Sequence, residues 1–419
     1  MNQKTLLSLV IGAVLLTVLY LFAVPQSESG STAKQRKLFE GVDGQKISKL
    51  KFEQGGGALD LALKDGAWRL PARGDYLADS AKIRALLLKL FDLDVSQKVP
   101  SDPQAFGALG VNDEAVKRGM SKVSFLDGDG KVVSGVYLGE SRRGGKDKSA
   151  GPLSGQYVRR LDEQDVYLIA SPIPITMGVA PWLEANLVNV LQSAIDSVVQ
   201  VKISQSGEEQ LFELVHSGTE DEQMKAPQLT LAGGIPEGKT LQQAVVTQVR
   251  SGLENLRIAD VFPVGADEVK DLNFDLMSLY RTGNGLVYQI STAAKGEHFY
   301  AKIKVTFDHD LATRLQDEFA KKRAAEKAKA SPTPTPTPKS KDDDTVAVNA
   351  PDSEPTLKVS SDAEAASLND QFSRWIYELP GYQARKLRNS KSDLVEPPPP
   401  PPAPPAPGAP GMPRMPIGG

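Results

Sequence analysis

The chain has 419 residues, enough for two ordinary domains, with 49 Lys and Arg against 52 Asp and Glu. That near-balance argues against a nucleic-acid partner, which calls for a basic patch or stripe. Cysteine is absent, excluding disulfides, thiol chemistry and cysteine-based zinc sites, and only His216, His298 and His309 supply imidazoles.

Residues 5–24 read TLLSLVIGAVLLTVLYLFAV, twenty positions without a charge. At ~1.5 Å per residue such a helix spans ~30 Å, the thickness of a bilayer core. A cleaved signal peptide would have a shorter apolar stretch and a small-residue cleavage site, whereas Pro25 follows directly here. The sequence therefore predicts a retained anchor over residues 1–26 and a polar stalk over 27–37. Lys4 precedes the span, and Lys34, Arg36 and Lys37 follow it among Glu28 and Glu40, so flanking charge does not orient it. Large domains translocate largely regardless of charge, which places the body outside the cytoplasm in a single-pass, inner-membrane arrangement.

Residues 47–52 and 59–63 alternate apolar and polar positions around Gly55, Gly56 and Gly57, as paired strands do. Residues 68–70 follow the turn at Asp65 and Gly66. Ile83, Leu86, Leu87, Leu90 and Phe91 then share one face of a helix whose N-cap is Asp79 or Ser80. Strands resume at 122–126, 132–138, 156–160 and 166–169. The second half repeats this order. Residues 50–54, LKFEQ, are echoed by 201–205, VKISQ, and strands follow at 211–215 and 229–231. Leu241, Val245, Val249, Leu253 and Leu256 fall on one helical face before strands at 286–290 and 298–305. The reading is an α+β protein of tandem duplicated, β-rich domains with one main helix each, over 38–190 and 191–310.

Residues 311–361 comprise a charged, Ala-rich helix and a Pro/Thr and acidic linker that cannot bury a core. A flexible chain over 331–361 has an r.m.s. span of roughly 30 Å, enough to cross a domain face and return. Leu368, Phe372, Trp375, Ile376 and Leu379 then predict a helix within 362–395 that packs on the second domain, ended by Pro380 and Gly381. Residues 396–419 form a proline-rich tail of polyproline II character, inert or a ligand for an aromatic groove.

Motifs with chemical meaning are few. Gly233, Gly238, Lys239 and Thr240 satisfy the G-x-x-x-x-G-K-[ST] pattern of a phosphate-binding loop. Pro236 removes an N–H from the cradle, Glu237 brings negative charge to it, and no magnesium-binding partner strand follows. The segment also occupies the place of residues 73–78 in the first half, so it reads as a loop. The run DGDG from Asp127 lacks the further ligands of a calcium loop and reads as a hairpin turn. Arg142 and Arg143, with Lys146 and Lys148, form a basic Gly-rich loop that is either solvated or a contact for anionic lipid or glycan. Asp308, His309 and Asp310 stand in a turn without a recognisable catalytic motif. Trp375 and Tyr377 join Arg142 and Arg143 as candidate partner-binding residues. No cofactor or metal is implied.

The order of short motifs resembles a known family. Leu38-Phe39-Glu40-Gly41, Gly66-Ala67-Trp68-Arg69-Leu70, Tyr137-Leu138-Gly139, Gln156-Tyr157-Val158-Arg159 and Trp375-Ile376-Tyr377-Glu378-Leu379-Pro380-Gly381-Tyr382 carry the likeness. Together they are similar to the bacterial domain-of-unknown-function family 4340. The resemblance implies one transmembrane helix, one or two copies of the domain, and a place beside gliding-motility-type ABC transporter components. It carries over no catalytic residue. The sequence thus leads to the expectation of a membrane-anchored, extracytoplasmic accessory or scaffold protein without enzymatic activity. An envelope enzyme or glycan-binding module is the competing class, and a cytoplasmic nucleotide-binding protein a third that depends on Lys239.

Overall fold

A computed structural model describes residues 36–143, 153–221, 226–329 and 359–397. The apolar span 5–24, most of the stalk, Lys146 and Lys148, most of the linker and the proline tail lie outside the described residues. Among the described residues no helix is long and apolar enough to cross a membrane. The architecture is α+β and rich in strand, with several sheets and few helices.

The chain divides into two units, one of residues 1–69 and 80–178, the other of 70–79 and 179–419. The first contains β1 (Lys49–Gln54), β2 (Gly57–Lys64), β3 (Ala67–Leu70), β5 (Gln97–Val99), β6 (Ser121–Leu126), β7 (Val132–Arg143), β8 (Leu153–Arg160) and β9 (Val166–Ile169). The intervening β4 (Tyr76–Leu77) groups with the second unit. These eight strands lie in the order β3-β2-β1-β6-β7-β8-β9-β5.

Alternation along these strands decides the two faces. Leu50 is opposite Leu61 and Phe125, and Phe52 opposite Leu59 and Val123, all buried on one face. Helix α1 (Ser80–Phe91) contributes buried Ile83 and Leu90, and Phe39, Phe91 and Phe125 cluster with ring centroids 5.1–5.7 Å apart. The opposite register positions are charged, and Lys49–Asp60 pair at 2.6 Å and Lys122–Glu53 at 3.4 Å. This in-apolar, out-polar pattern is what an antiparallel sheet with one covered face requires. Two short helices, α2 (Phe106–Leu109) and α3 (Asp113–Lys117), build a smaller cluster with Tyr137 and Val166. There the Arg159 guanidinium sits 4.5 Å from the Phe106 ring centroid and 4.6 Å from that of Tyr137. The Asp127 turn joins β6 to β7: its Oδ1 accepts from the N–H of Asp129 and of Lys131.

The second unit contains β10 (Asn186–Val188), β11 (Ile195–Ser204), β12 (Gly207–Asp221), β13 (Ala226–Leu231), β14 (Thr240–Leu241), α4 (Gln243–Arg250), β15 (Leu256–Arg257) and β16 (Asp260–Pro263). It continues through β17 (Leu276–Thr282), β18 (Leu286–Lys295), β19 (His298–Phe307), α5 (His309–Lys329), α6 (Asp362–Phe372), β20 (Trp375–Leu379), α7 (Gly381–Leu387) and β21 (Val395–Glu396). Its main sheet runs β13-β12-β11-β17-β18-β19-β20-β16, the same permutation as in the first unit. One row of register partners crosses it, Leu231–Leu214–Val198–Tyr280–Tyr288–Val305, every side chain buried. Tyr280 donates to the carbonyl of Val249 at 3.0 Å, and a Cβ on Gly252 would collide with that hydroxyl.

Three expectations need correction. Residues 375–379 are a strand, not part of a helix. Helix α6 stops at Phe372, and the W-I-Y-E-L run that forms β20 opens with aromatic Trp375, β-branched Ile376 and aromatic Tyr377, with Pro380 behind it. Tertiary pairing with β19 and β16 outweighs the 3.6-residue periodicity that continues from Leu368. Leu241 and Leu256 flank helix α4 as residues of β14 and β15 rather than extending it. The unit boundary also falls earlier than 191, because β10 pairs with β15. Residues 70–79 join the second unit through Arg73, which donates to both carboxylate oxygens of Asp260 at 2.8 and 2.6 Å, and through Tyr76, 5.1 Å from Trp375.

Beyond Ala301 the edge of β19 is not paired with β20, and α6 covers it. The Asn369 amide accepts from the N–H of Val305 at 2.7 Å and donates to the same residue's carbonyl, standing in for a neighbouring strand. Ser361 caps α6 by accepting from the N–H of Glu364.

Two substitutions test this packing. Among the described residues the buried Tyr377 hydroxyl has no hydrogen-bond partner, so Tyr377→Phe removes a desolvated polar group and is expected to leave the thermal midpoint unchanged or raised. A loss above ~1 kcal/mol by calorimetry would contradict it. Gly252→Ala is expected to displace the Tyr280 hydroxyl and destabilise by about 1–3 kcal/mol in a denaturant titration.

Candidate interaction surface

Strand β20 sets the geometry of the main candidate surface. It holds Trp375 in register with Pro263 of β16, and the Tyr76 ring packs edge-on against the indole. Gly74 makes that approach possible. Its φ is +60°, and a Cβ there would fall 2.7 Å from Pro263 Cγ and 3.4 Å from the indole. The Arg73 guanidinium lies 5.2 Å from the Phe262 ring centroid, and its hydrogen bonds to Asp260 raise its pKa further.

Trp375, Phe372, Ile303 and Val264 line a groove of about 420 Å³, with Lys302 and Lys304 from β19 at its rim. Val264 is 54 % exposed, a large apolar side chain left open to water. The Lys302 ammonium stands 4.2 Å from the Phe274 ring centroid, which fixes one of the two rim charges. An apolar floor with a basic rim suits an extended, apolar segment flanked by acidic residues.

The structure sorts the candidate residues. Trp375 lines the groove. Tyr377, two positions on, is fully buried against Tyr76 and Phe372, and that burial removes it as a contact residue for a partner. Burial raises its phenol well above the ordinary range. Arg142 and Arg143 are exposed at the end of β7, remote in sequence from the groove. Val264, Lys302, Lys304 and Asn369 are not singled out by sequence pattern alone. The K-x-K alternation of β19, in which Lys302 and Lys304 are exposed between buried Ala301, Ile303 and Val305, was the available signal.

Lys239 and Thr240 are not at a helix start. Thr240 lies in β14, paired with Glu396, and its hydroxyl donates to the Glu396 carbonyl; α4 begins only at Gln243. Gly233 and Gly238 adopt φ of +80° and +66° in the intervening turns, and the N–H of Lys239 donates to Pro236. A phosphate cradle needs those N–H groups to converge at a helix N-terminus, which this path does not provide.

A second depression, of about 600 Å³, lies between β11, β12, β17 and the start of α5. Asp196 is nearly buried there and accepts from Arg314 at 3.2 Å, with His216 Nε2 3.4 Å away; Arg281 faces Glu213 at 3.5 Å. The charges satisfy one another and tether the first turns of α5 to the sheet. Asp308 caps that helix by accepting from the N–H of Leu311, and His309 pairs with Asp362 at the surface. Among the described residues no group of three or more potential ligands is disposed to hold a metal ion.

The fold and these surfaces define a β-rich α+β protein of two sheet-based units. The family model described as "Domain of unknown function (DUF4340)" matches residues 68–276, and the chain belongs to that family. The match begins in β3 and ends at the first residue of β17, so it takes in parts of both units. No curated protein and no solved structure matches the chain.

One pH-dependent contact spans β19 and β20. His298 Nδ1 lies 2.7 Å from Glu378 Oε1, and that hydrogen bond raises the imidazole pKa. A raised pKa stabilises the charged, folded form below the free value of about 6.5 and ceases to do so as pH climbs through the elevated value. Titration by NMR is expected to place His298 above that free value, and Glu378→Gln to bring it back down. An unshifted His298 would refute the pairing.

Proposed function

We propose that this protein is a membrane-anchored accessory or scaffold component that acts outside the cytoplasm by docking a partner subunit. Residues 5–24 hold it in the bilayer, and the sheet-based units arise from one duplicated α+β module. The shared strand permutation supports the duplication. The observation that carries the docking role is the groove floored by Trp375, Phe372 and the exposed Val264, rimmed by Lys302 and Lys304. Its partner is a membrane-complex protein offering an apolar, acid-flanked segment, and the family resemblance points to an ABC-type transporter assembly. Anchoring confines both partners to one membrane and raises their effective concentration, so a modest groove suffices for stable association.

A photo-crosslinking residue at Val264 of the full-length protein, activated in its native membrane, tests this. The expected result is one discrete adduct to an integral membrane protein of a transporter complex, reduced at least several-fold by Lys302→Glu with Lys304→Glu. No adduct, or one insensitive to the charge reversal, would end the reading. The anchor is tested separately. The full chain should stay in the membrane pellet through a carbonate wash, and a chain lacking residues 1–26 should not.

A further inference from the structure

The lining of the Trp375 groove narrows what can occupy it. Lys302 and Lys304 stand along it with no carboxylate among the lining residues, beside apolar Val264, Phe372 and Trp375. An occupant must bring an apolar face for the floor and negative charge for the lysines. The chain itself contains such a segment. Residues 342–354 read DDDTVAVNAPDSE, an apolar centre at Val346, Ala347 and Val348 with three carboxylates before it and two after it. They lie outside the described residues. Of the stretches outside the described residues, this one alone places carboxylates on both sides of an apolar run.

Spacing and reach both permit the match. In an extended chain alternate side chains share a side at intervals of ~6.6 Å, so Asp344, Val346 and Val348 form one row, a carboxylate beside two branched apolar groups. On the C-terminal side, the N–H of Ser360 donates to the Asn284 carbonyl at 2.9 Å, and α6, with 11 residues and a length of ~16 Å, leads from there to Phe372 in the groove wall. The twelve residues from Val348 to Ser360 extend to ~40 Å, more than twice the length of that helix. On the N-terminal side, α5 has 21 residues, so Lys329 lies within ~32 Å of His309, and the seventeen residues from Lys329 to Val346 extend to ~56 Å.

We propose that residues 342–354 dock in the Trp375 groove of their own chain, with Val346 and Val348 on its apolar floor and the carboxylates of Asp342, Asp343 and Asp344 against Lys302 and Lys304. A tether of this length holds the segment at an effective concentration on the order of millimolar, so weak contacts suffice. The segment has the same chemistry that the docking role assigns to the partner. The partner must therefore displace it, and its apparent affinity is reduced in proportion to the fraction of grooves left open. That competition rests on the docking role; the intramolecular contact does not.

Carbodiimide coupling, which joins a carboxylate to an ammonium group in contact with it, tests this on the purified full chain in lipid nanodiscs. Mass spectrometry is expected to find Lys302 or Lys304 linked to a carboxylate of residues 342–354, with the yield cut several-fold by Val346→Ser with Val348→Ser. That pair keeps every charge and every groove residue, so chance collision of a tethered acidic stretch would give an unaltered yield. In an equal mixture of isotope-labelled and unlabelled protein, both linked peptides are expected to come from one chain. Absence of the link, a link insensitive to the valine substitutions, or a link between labelled and unlabelled chains overturns the inference. In the native membrane, the same two substitutions are expected to raise the yield of the Val264 photo-adduct several-fold, and an unchanged yield refutes the competition. A photo-adduct without the carbodiimide link ends this inference alone, whereas the link without a photo-adduct ends the docking role alone.

Discussion

The pairing of β20 with β19 on one side and β16 on the other is the constraint on which the second unit depends. An interior strand must satisfy both of its backbone edges, and here the strand comes from chain that has first travelled through residues 308–374. In the first unit the matching step from β8 to β9 takes only residues 161–165. Closing a loop about thirteen times longer costs about 2 kcal/mol more in chain entropy. The second unit offsets that with added contacts along the same line. Asn369 occupies the leftover edge of β19, Ser360 meets Asn284, and Trp375 and Tyr377 pack on Tyr76.

The same strand links architecture to surface. Because side chains alternate along β20, Ile376 joins the cluster of Val269, Ala293 and Tyr300, while Trp375 and Tyr377 face Tyr76. Tyr377 is central enough to be engulfed. Trp375 sits at the strand's start, where the sheet ends and α6 turns away, so part of its indole lines the groove. Position along the strand, rather than residue type, separates a core aromatic from one available to a partner.

Much of the sheet was legible because its strands alternate cleanly. Leu50 and Phe52 against Lys49 and Lys51 announce a half-covered strand, and the echo of residues 50–54 in 201–205 announces the second unit. The strand Leu276–Thr282 was invisible because nearly every side chain in it is buried or half-buried, which leaves no alternation to read. Trp375–Leu379 misled because its apolar positions continue the helical spacing of Leu368 and Phe372, and only a distant partner decides between the two structures.

The late position of β20 in the chain also bears on biosynthesis. At about 5–20 residues per second, a ribosome takes roughly 4–14 s to travel from Phe307 to Leu379. Throughout that interval β19 has been synthesised while its neighbour β20 has not, so that edge of β19 has no strand to pair with. Nascent chains meet aggregation or capture at such edges, and the two lysines that alternate along this one, Lys302 and Lys304, are the residues that discourage both before the sheet closes.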